Sequence, residues 1–207
     1  MSDVRVLIVE DEPIIAEDIS ACLRKNDFLV TGICYTSLQA EKQLLENLPD
    51  IVLLDINLKN GDEGIDLAKK INAAYNIPFI FLTSYSDRQT LQLAKATEPS
   101  GYIVKPFSSG GLYATVEIAI HNYAQQHKVK FPELSMQKIN LGLPSALSDR
   151  EFEVLQLIYD GITNRQIGEQ IFVSVNTIKK HINNAYLKID ATTRTNAITR
   201  LRELMMK

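Results

Sequence analysis

The spacing of apolar positions changes character several times along the chain. Arg5–Glu10 (RVLIVE), Ile51–Asp55 (IVLLD) and Pro78–Thr83 (PFIFLT) are short apolar runs without alternation, as in strands covered on both faces. Leu29–Tyr35 and Gly101–Val104 also read as strands. Between them the period lengthens. Pro13–Asn26 places Ile14, Ile15, Ile19, Cys22 and Leu23 at helical spacing, and Ser37 caps a helix running to Leu48. Gly64–Tyr75 carries Ile65, Leu67, Ala68 and Ile71. Ser86 with Gln89 forms a capping signal for a helix to Ala96, and Ser108–His127 is a longer helix. Five strand–helix repeats predict an α/β fold, a (βα)5 doubly wound parallel sheet with helices on both faces.

Residues 128–143 break this pattern, punctuated by Pro132 and Gly142, with Pro144 just beyond; they read as a linker. The remainder of the chain is helical throughout. Ser148 and Glu151 form a capping box ahead of Phe152, Val154, Leu155, Leu157 and Ile158, a helix ending near Asp160-Gly161. Thr163 and Gln166 signal a short helix to Ile171. Ser174 starts a third helix through Tyr186–Lys188, and Arg194–Met206 is a fourth. The second expectation is therefore a small all-α four-helix domain containing a helix-turn-helix. The domain limits read as 1–124, a linker 125–143, and 144–207.

Charge sharpens this division. The 207 residues carry a net charge of −3, but residues 1–122 are strongly acidic and residues 123–207 are net basic. Two domains with different partners fit that asymmetry, the basic one suiting phosphate backbones. At 45% hydrophobic and 23% charged, the chain has the make-up of a folded protein rather than a disordered one. No apolar run reaches the ~20 residues needed to span a bilayer, and Met1–Arg5 lacks the order of a signal peptide. The expectation is a cytoplasmic protein with no membrane partner. Cys22 and Cys34 have no metal-ligand spacing and read as buried thiols; His121, His127 and His181 are scattered and suggest no metal site.

In an open parallel sheet, functional groups gather beyond the carboxyl ends of the strands. Glu10, Asp11, Asp55, Thr83 and Lys105 all fall there. Clustered carboxylates repel unless a cation joins them. A hard divalent ion with oxygen ligands answers this, and Mg2+ suits a site that also holds phosphate. An aspartate nucleophile, a metal and a lysine can accept a phosphoryl group by positioning and charge neutralisation. The plainer alternative is a set of solvated loop carboxylates, which their placement at successive strand ends argues against.

With these residues in place, segment 4–122 resembles the CheY-like receiver domain of response regulators. The resemblance matches Glu10 and Asp11 to the family's acidic pair, Asp55 to its phosphoacceptor, Thr83 to its switch hydroxyl, Tyr102 to its switch aromatic and Lys105-Pro106 to its Lys-Pro pair. It implies a cis Lys105–Pro106 peptide. It also implies Mg2+ held by Asp11, Asp55 and the backbone carbonyl of Asn57, with Glu10 acting through water. Glu10 stands where many members have Asp, a change that keeps the charge. The phosphoryl donor would be a sensor histidine kinase or a phosphotransfer protein. Thr83 would move towards the phosphoryl group, with Tyr102 turning inward behind it.

Helix 174–188 offers Asn176, Thr177, Lys179, Lys180 and Asn183 on polar faces, and Val175, Ile178, Ile182, Ala185 and Tyr186 on an apolar one. Lysines meet phosphates or guanine, and asparagine reads adenine; a solvated amphipathic helix would look similar. The runs LSDREFEVL, GITNRQIG, VSVNTIKKHINN and KIDATTRTNA resemble the LuxR-type (FixJ/NarL-type) helix-turn-helix. That resemblance implies that this helix enters the major groove of double-stranded DNA. Lys179, Lys180 and Asn183 would face bases, and Thr163, Asn164, Ser174, Asn176 and Thr177 would meet phosphates. Gly168 replaces the family's usual Ala, and Asp190 puts an acid before the last helix. The family's last helix dimerises on DNA, which implies a homodimer when active. The expected function is a two-component, DNA-binding response regulator, and not an enzyme beyond promoting its own phosphorylation and dephosphorylation. Two alternatives stay open: an interaction protein with a vestigial helix-turn-helix, and an aspartyl-phosphate phosphohydrolase. Against the second, a compact receiver leaves no room for a substrate pocket, and no additional base is evident.

Overall fold

The computed structural model describes residues 3–58, 63–84, 88–128 and 133–206. Two compact units emerge, Arg5–Ile120 and a second from His121 onward that also includes Asp3 and Val4. The first contains strands β1 (Arg5–Val9), β2 (Leu29–Cys34), β3 (Ile51–Asp55), β4 (Phe79–Thr83) and β5 (Gly101–Val104). They alternate with helices α1 (Pro13–Lys25), α2 (Ser37–Glu46), α3 (Glu63–Ala74), α4 (Arg88–Lys95) and α5 (Ser109–Lys128). The strands form one parallel five-stranded sheet in the order β2-β1-β3-β4-β5. The winding reverses between β1 and β3, which opens a crevice at their carboxyl ends.

The unbroken apolar runs now have their reason. Every residue of β3 and β4 is buried, because helices cover both sheet faces. On one face Leu7, Val9, Leu54, Phe79 and Phe81 pack against Leu44, Ile65, Leu67 and Ile71 from α2 and α3. Each such side chain stabilises the fold by roughly 1.5–3 kcal/mol. One helix start differs in detail from expectation. Thr36, not Ser37, caps α2: its backbone is extended, and its hydroxyl accepts from the Gln39 N–H at 3.2 Å. The Ser86/Gln89 signal lies outside the described side chains.

The second unit holds the four expected helices as α7 (Asp149–Tyr159), α8 (Asn164–Gln170), α9 (Val175–Ile189) and α10 (Arg194–Met206). Ahead of them, inside the segment read as linker, stands a further short helix, α6 (Met136–Leu141). Ser135 caps it through the Lys138 N–H, and Ile139 is fully buried in the second core. Ala124, near the end of α5, joins that core too. The capping box before α7 is complete: the Ser148 N–H donates to Glu151 Oε2 at 2.8 Å, and Ser148 Oγ accepts from the Glu151 N–H. Among the described residues, no helix is long and apolar enough to cross a membrane.

Candidate functional site

Strand pairing carries the acidic residues to one edge. The Glu10 N–H continues the β1–β2 ladder onto the Cys34 carbonyl, so Glu10 and Asp11 leave the sheet beside the end of β3. The Lys105 N–H donates to the Thr83 carbonyl at 2.8 Å, extending β5 past β4 in the same direction. The outcome is convergence. Single carboxylate oxygens of Glu10, Asp11 and Asp55 lie within 4.8 Å of one another. Lys105 Nζ sits 2.6 Å from Glu10 Oε2 and 2.6 Å from Asp55 Oδ2. The other Asp55 oxygen accepts from the Asn57 N–H at 2.9 Å.

Glu10 and Asp55 are buried, so the electrostatics matter. Burial pushes the Glu10 carboxyl up, Asp55 adds to this, and Lys105 opposes it; the result is about 7. Lys105 is itself raised: burial works against its charge, and the two carboxylates outweigh burial. Three hard oxygen donors with excess negative charge fit a divalent cation of the Mg2+ class. Thr83 is buried at the end of β4. Tyr102 lies with its ring 5.9 Å from that of Phe81, its hydroxyl buried with no hydrogen-bond partner among the described residues. The Lys105–Pro106 peptide is cis. Beside Lys105 opens a cavity of about 740 Å3, bordered by Glu12, Ile15, Asp18, Phe107 and Ser109. No motif in the sequence signals this space; the packing of α1 against the turn after β5 creates it. Cys22 and Cys34 are free and buried.

On the helical side, Ser174, Asn176, Lys180 and Asn183 are exposed along α9, while Ile178, Ile182, Ala185 and Tyr186 face the core. Ser174 caps α9 by accepting from the Thr177 N–H at 3.2 Å, and its hydroxyl is 2.9 Å from that of Thr177. Lys179 is ion-paired with Asp3 at 2.9 Å. Thr163 and Asn164 are almost fully buried, so they offer little surface to a phosphate. Both the N–H and the hydroxyl of Thr163 donate to Gln166 Oε1. Ala197, Ile198, Leu201, Leu204 and Met205 of α10 are buried in their own core. An interface on α10 would therefore have to use its other faces.

Three features had no readable signal in the sequence. Lys188, at the end of α9, bonds Glu151 Oε2 at 2.7 Å and the Ala146 carbonyl at 2.9 Å, tying α9 to the start of α7. Asp190 ends α9 in the left-handed conformation, which Asp tolerates better than most residues. At Gly168 a Cβ would stand 2.8 Å from the Val173 carbonyl oxygen, so α8 passes closer to the turn than an alanine allows.

Residues 6–117 match the response regulator receiver domain family, and residues 145–201 match the bacterial regulatory proteins of the luxR family. The transcriptional regulatory protein LiaR of Bacillus subtilis (strain 168) is 29% identical over 200 residues, covering 94% of each chain. The nitrate/nitrite response regulator protein homolog of Haemophilus influenzae is 27% identical over 194 residues, covering 92% of each. Among solved structures, the signal receiver domain of a modulated diguanylate cyclase from Desulfovibrio desulfuricans G20 superposes with a TM-score of 0.56 at 34% identity, over 59% of this chain and 97% of that one. An acidic crevice on a five-stranded parallel sheet, followed by a helix-turn-helix and matched in that order along the chain, places this protein among the response regulators, as a receiver joined to a luxR-type DNA-binding domain that regulates transcription.

Proposed function

We propose that Asp55 accepts a phosphoryl group from a phosphohistidine donor, either a sensor kinase or a phosphotransfer protein. The observation that carries this is the convergence of Glu10, Asp11 and Asp55 within 4.8 Å, with Lys105 2.6 Å from two of them. A carboxylate oxygen of Asp55 attacks phosphorus. An O–P bond forms, the donor N–P bond breaks, and its electron pair stays on the imidazole nitrogen. Lys105 faces the charge that develops on the phosphoryl oxygens, and the Asn57 N–H holds the Asp55 carboxylate in orientation. Glu10, Asp11, Asp55 and the Asn57 carbonyl are the groups that would hold Mg2+, which when bound neutralises phosphate charge. The donor approaches through the cavity beside Lys105.

The phosphoryl group adds roughly −1.5 to −2 charges at Asp55. Thr83 turns its hydroxyl towards it, and Tyr102 follows. With no partner for its hydroxyl among the described residues, little holds the Tyr102 ring in place. The repacked surface changes the oligomeric state or the freedom of the C-terminal domain. DNA contact then rests on the exposed polar face of α9, with Lys180, Asn183 and Lys179 towards bases and Ser174, Asn176 and Thr177 towards phosphates. Thr163 and Asn164 act there by shaping the start of α8.

The test is site-specific binding to a genomic fragment library, with and without acetyl phosphate and Mg2+, for wild type and Asp55→Asn. Donor-dependent binding in wild type alone supports the mechanism. Site-specific binding indifferent to both donor and mutation rejects phosphorylation control.

A further inference from the structure

We infer that Gly64 is a positioning residue for the phosphoacceptor, because α3 begins directly on the peptide that carries Asp55. The inference rests on Asp55 being the acceptor. A Cβ at Gly64 would stand 2.0 Å from the Asp55 carbonyl oxygen, 2.7 Å from that of Ile56 and 3.0 Å from the Asp55 carbonyl carbon. The obstructing atoms are main chain, so no rotamer change relieves the contact. The other described glycines of this unit differ. Gly32, Gly101 and Gly111 face side-chain atoms at 3.2 Å, and Gly110 faces nothing within 4 Å.

Neither partner in the contact can retreat freely. α3 is seated by Ile65, Leu67, Ala68 and Ile71, all buried in the core. β3 is held between β1 and β4, with the Ile56 N–H bonded to the Leu82 carbonyl at 3.1 Å. The Asp55 carboxylate is meanwhile aimed by the Asn57 N–H at 2.9 Å and Lys105 Nζ at 2.6 Å. A side chain at position 64 therefore displaces the 55–56 peptide and takes the carboxylate off this alignment. A misplacement of about 1 Å costs about 10²-fold in rate. The absence of a side chain at residue 64 sets the attack geometry without touching substrate.

The experiment follows covalent phosphoryl uptake from acetyl phosphate with Mg2+ on the full chain by intact mass, across donor concentrations. It compares wild type, Gly64→Ala, Gly110→Ala as an open-space alanine control, and Ile71→Val, which thins the core under α3. Gly64→Ala is expected to lose about 10²-fold in maximal rate with little change in the half-saturating donor concentration. Gly110→Ala and Ile71→Val keep the wild-type rate, the latter despite lower thermal stability. If Gly64→Ala does not stay folded in buffer, the same rates are read for all four proteins in trimethylamine N-oxide, which favours the compact state. A Gly64→Ala rate within twofold of wild type overturns the inference, and so does an equal slowing of Ile71→Val, which would reduce Gly64 to a packing role. If wild type itself takes up no phosphoryl group, the acceptor assignment falls, and the inference falls with it.

Discussion

Replacing Lys105 with methionine should destabilise the receiver in a way that depends on pH. In the native protein its ammonium group lies 2.6 Å from both Glu10 and Asp55, with all three side chains at least nine-tenths buried. Glu10 has an escape. Its carboxyl is pushed up to about 7, so in the mutant it takes a proton instead of remaining as a buried, unpaired anion. At pH 8 that protonation lies about one pH unit from its pKa, which limits the Glu10 share to about 1.4 kcal/mol. Below pH 7 this share fades, because Glu10 is already protonated in wild type. Asp55 loses a charge-assisted hydrogen bond, worth about 1.5–3 kcal/mol. The total is about 3–4 kcal/mol at pH 8 and about 2 kcal/mol at pH 6. Hydrogen exchange of the full chain without Mg2+ reads this locally, with peptides of α7–α10 as an internal reference. The ratio of mutant to wild-type exchange in β1 and β3 should be 10² to 10³ at pH 8, and about tenfold smaller at pH 6. A ratio below ten at pH 8, or one that does not change between the two pH values, would refute the reasoning.

The same contacts carry other expectations. Because the folded-state value of Glu10 is raised, its contribution to stability is complete below its ordinary 4.5 and is lost as pH rises through about 7; metal-free Glu10→Gln should show a flatter urea-midpoint profile from pH 5 to 8. At Glu151, burial raises the carboxyl, but Lys188 and the Ser148 backbone and hydroxyl outweigh it, so the value is lowered. That contribution is present above 4.5 and lost as pH falls through the lowered value, so Lys188→Met should cost about 1–3 kcal/mol at pH 7 and less below pH 4, read by thermal melting. Gly168→Ala gains about 1 kcal/mol of helix propensity yet should destabilise overall by about 1–3 kcal/mol through its contact with the Val173 carbonyl; a raised melting temperature would contradict the packing argument. Lys180→Ala should reduce the slope of log affinity against log salt for DNA by about one, measured by fluorescence anisotropy.

Along the chain alone, the period changes, the strand ends and the caps of α7, α8 and α9 are legible, because these depend on near neighbours. Apolar runs mark β1, β3 and β4, and Ser148 with Glu151 marks the start of α7, with no reference to packing. Placing Glu10, Asp11, Asp55, Thr83 and Lys105 at one edge needed only the rule that parallel strands end on the same side. Helix α6 escaped because six residues between Ser135 and Gly142 give too short a window for a periodic pattern to register. The family resemblance sets Thr163 and Asn164 against phosphates, yet the close approach of α8 to its neighbours buries them. The same limit hid the role of Gly64, where the deciding contact is between one residue's missing side chain and the main chain of a strand nine positions earlier. Hydrogen-bonding periods and caps are local, and so legible along the chain. Burial, main-chain clearance and the shared lysine of two carboxylates arise from three-dimensional packing between residues distant in the chain, and no local pattern encodes them.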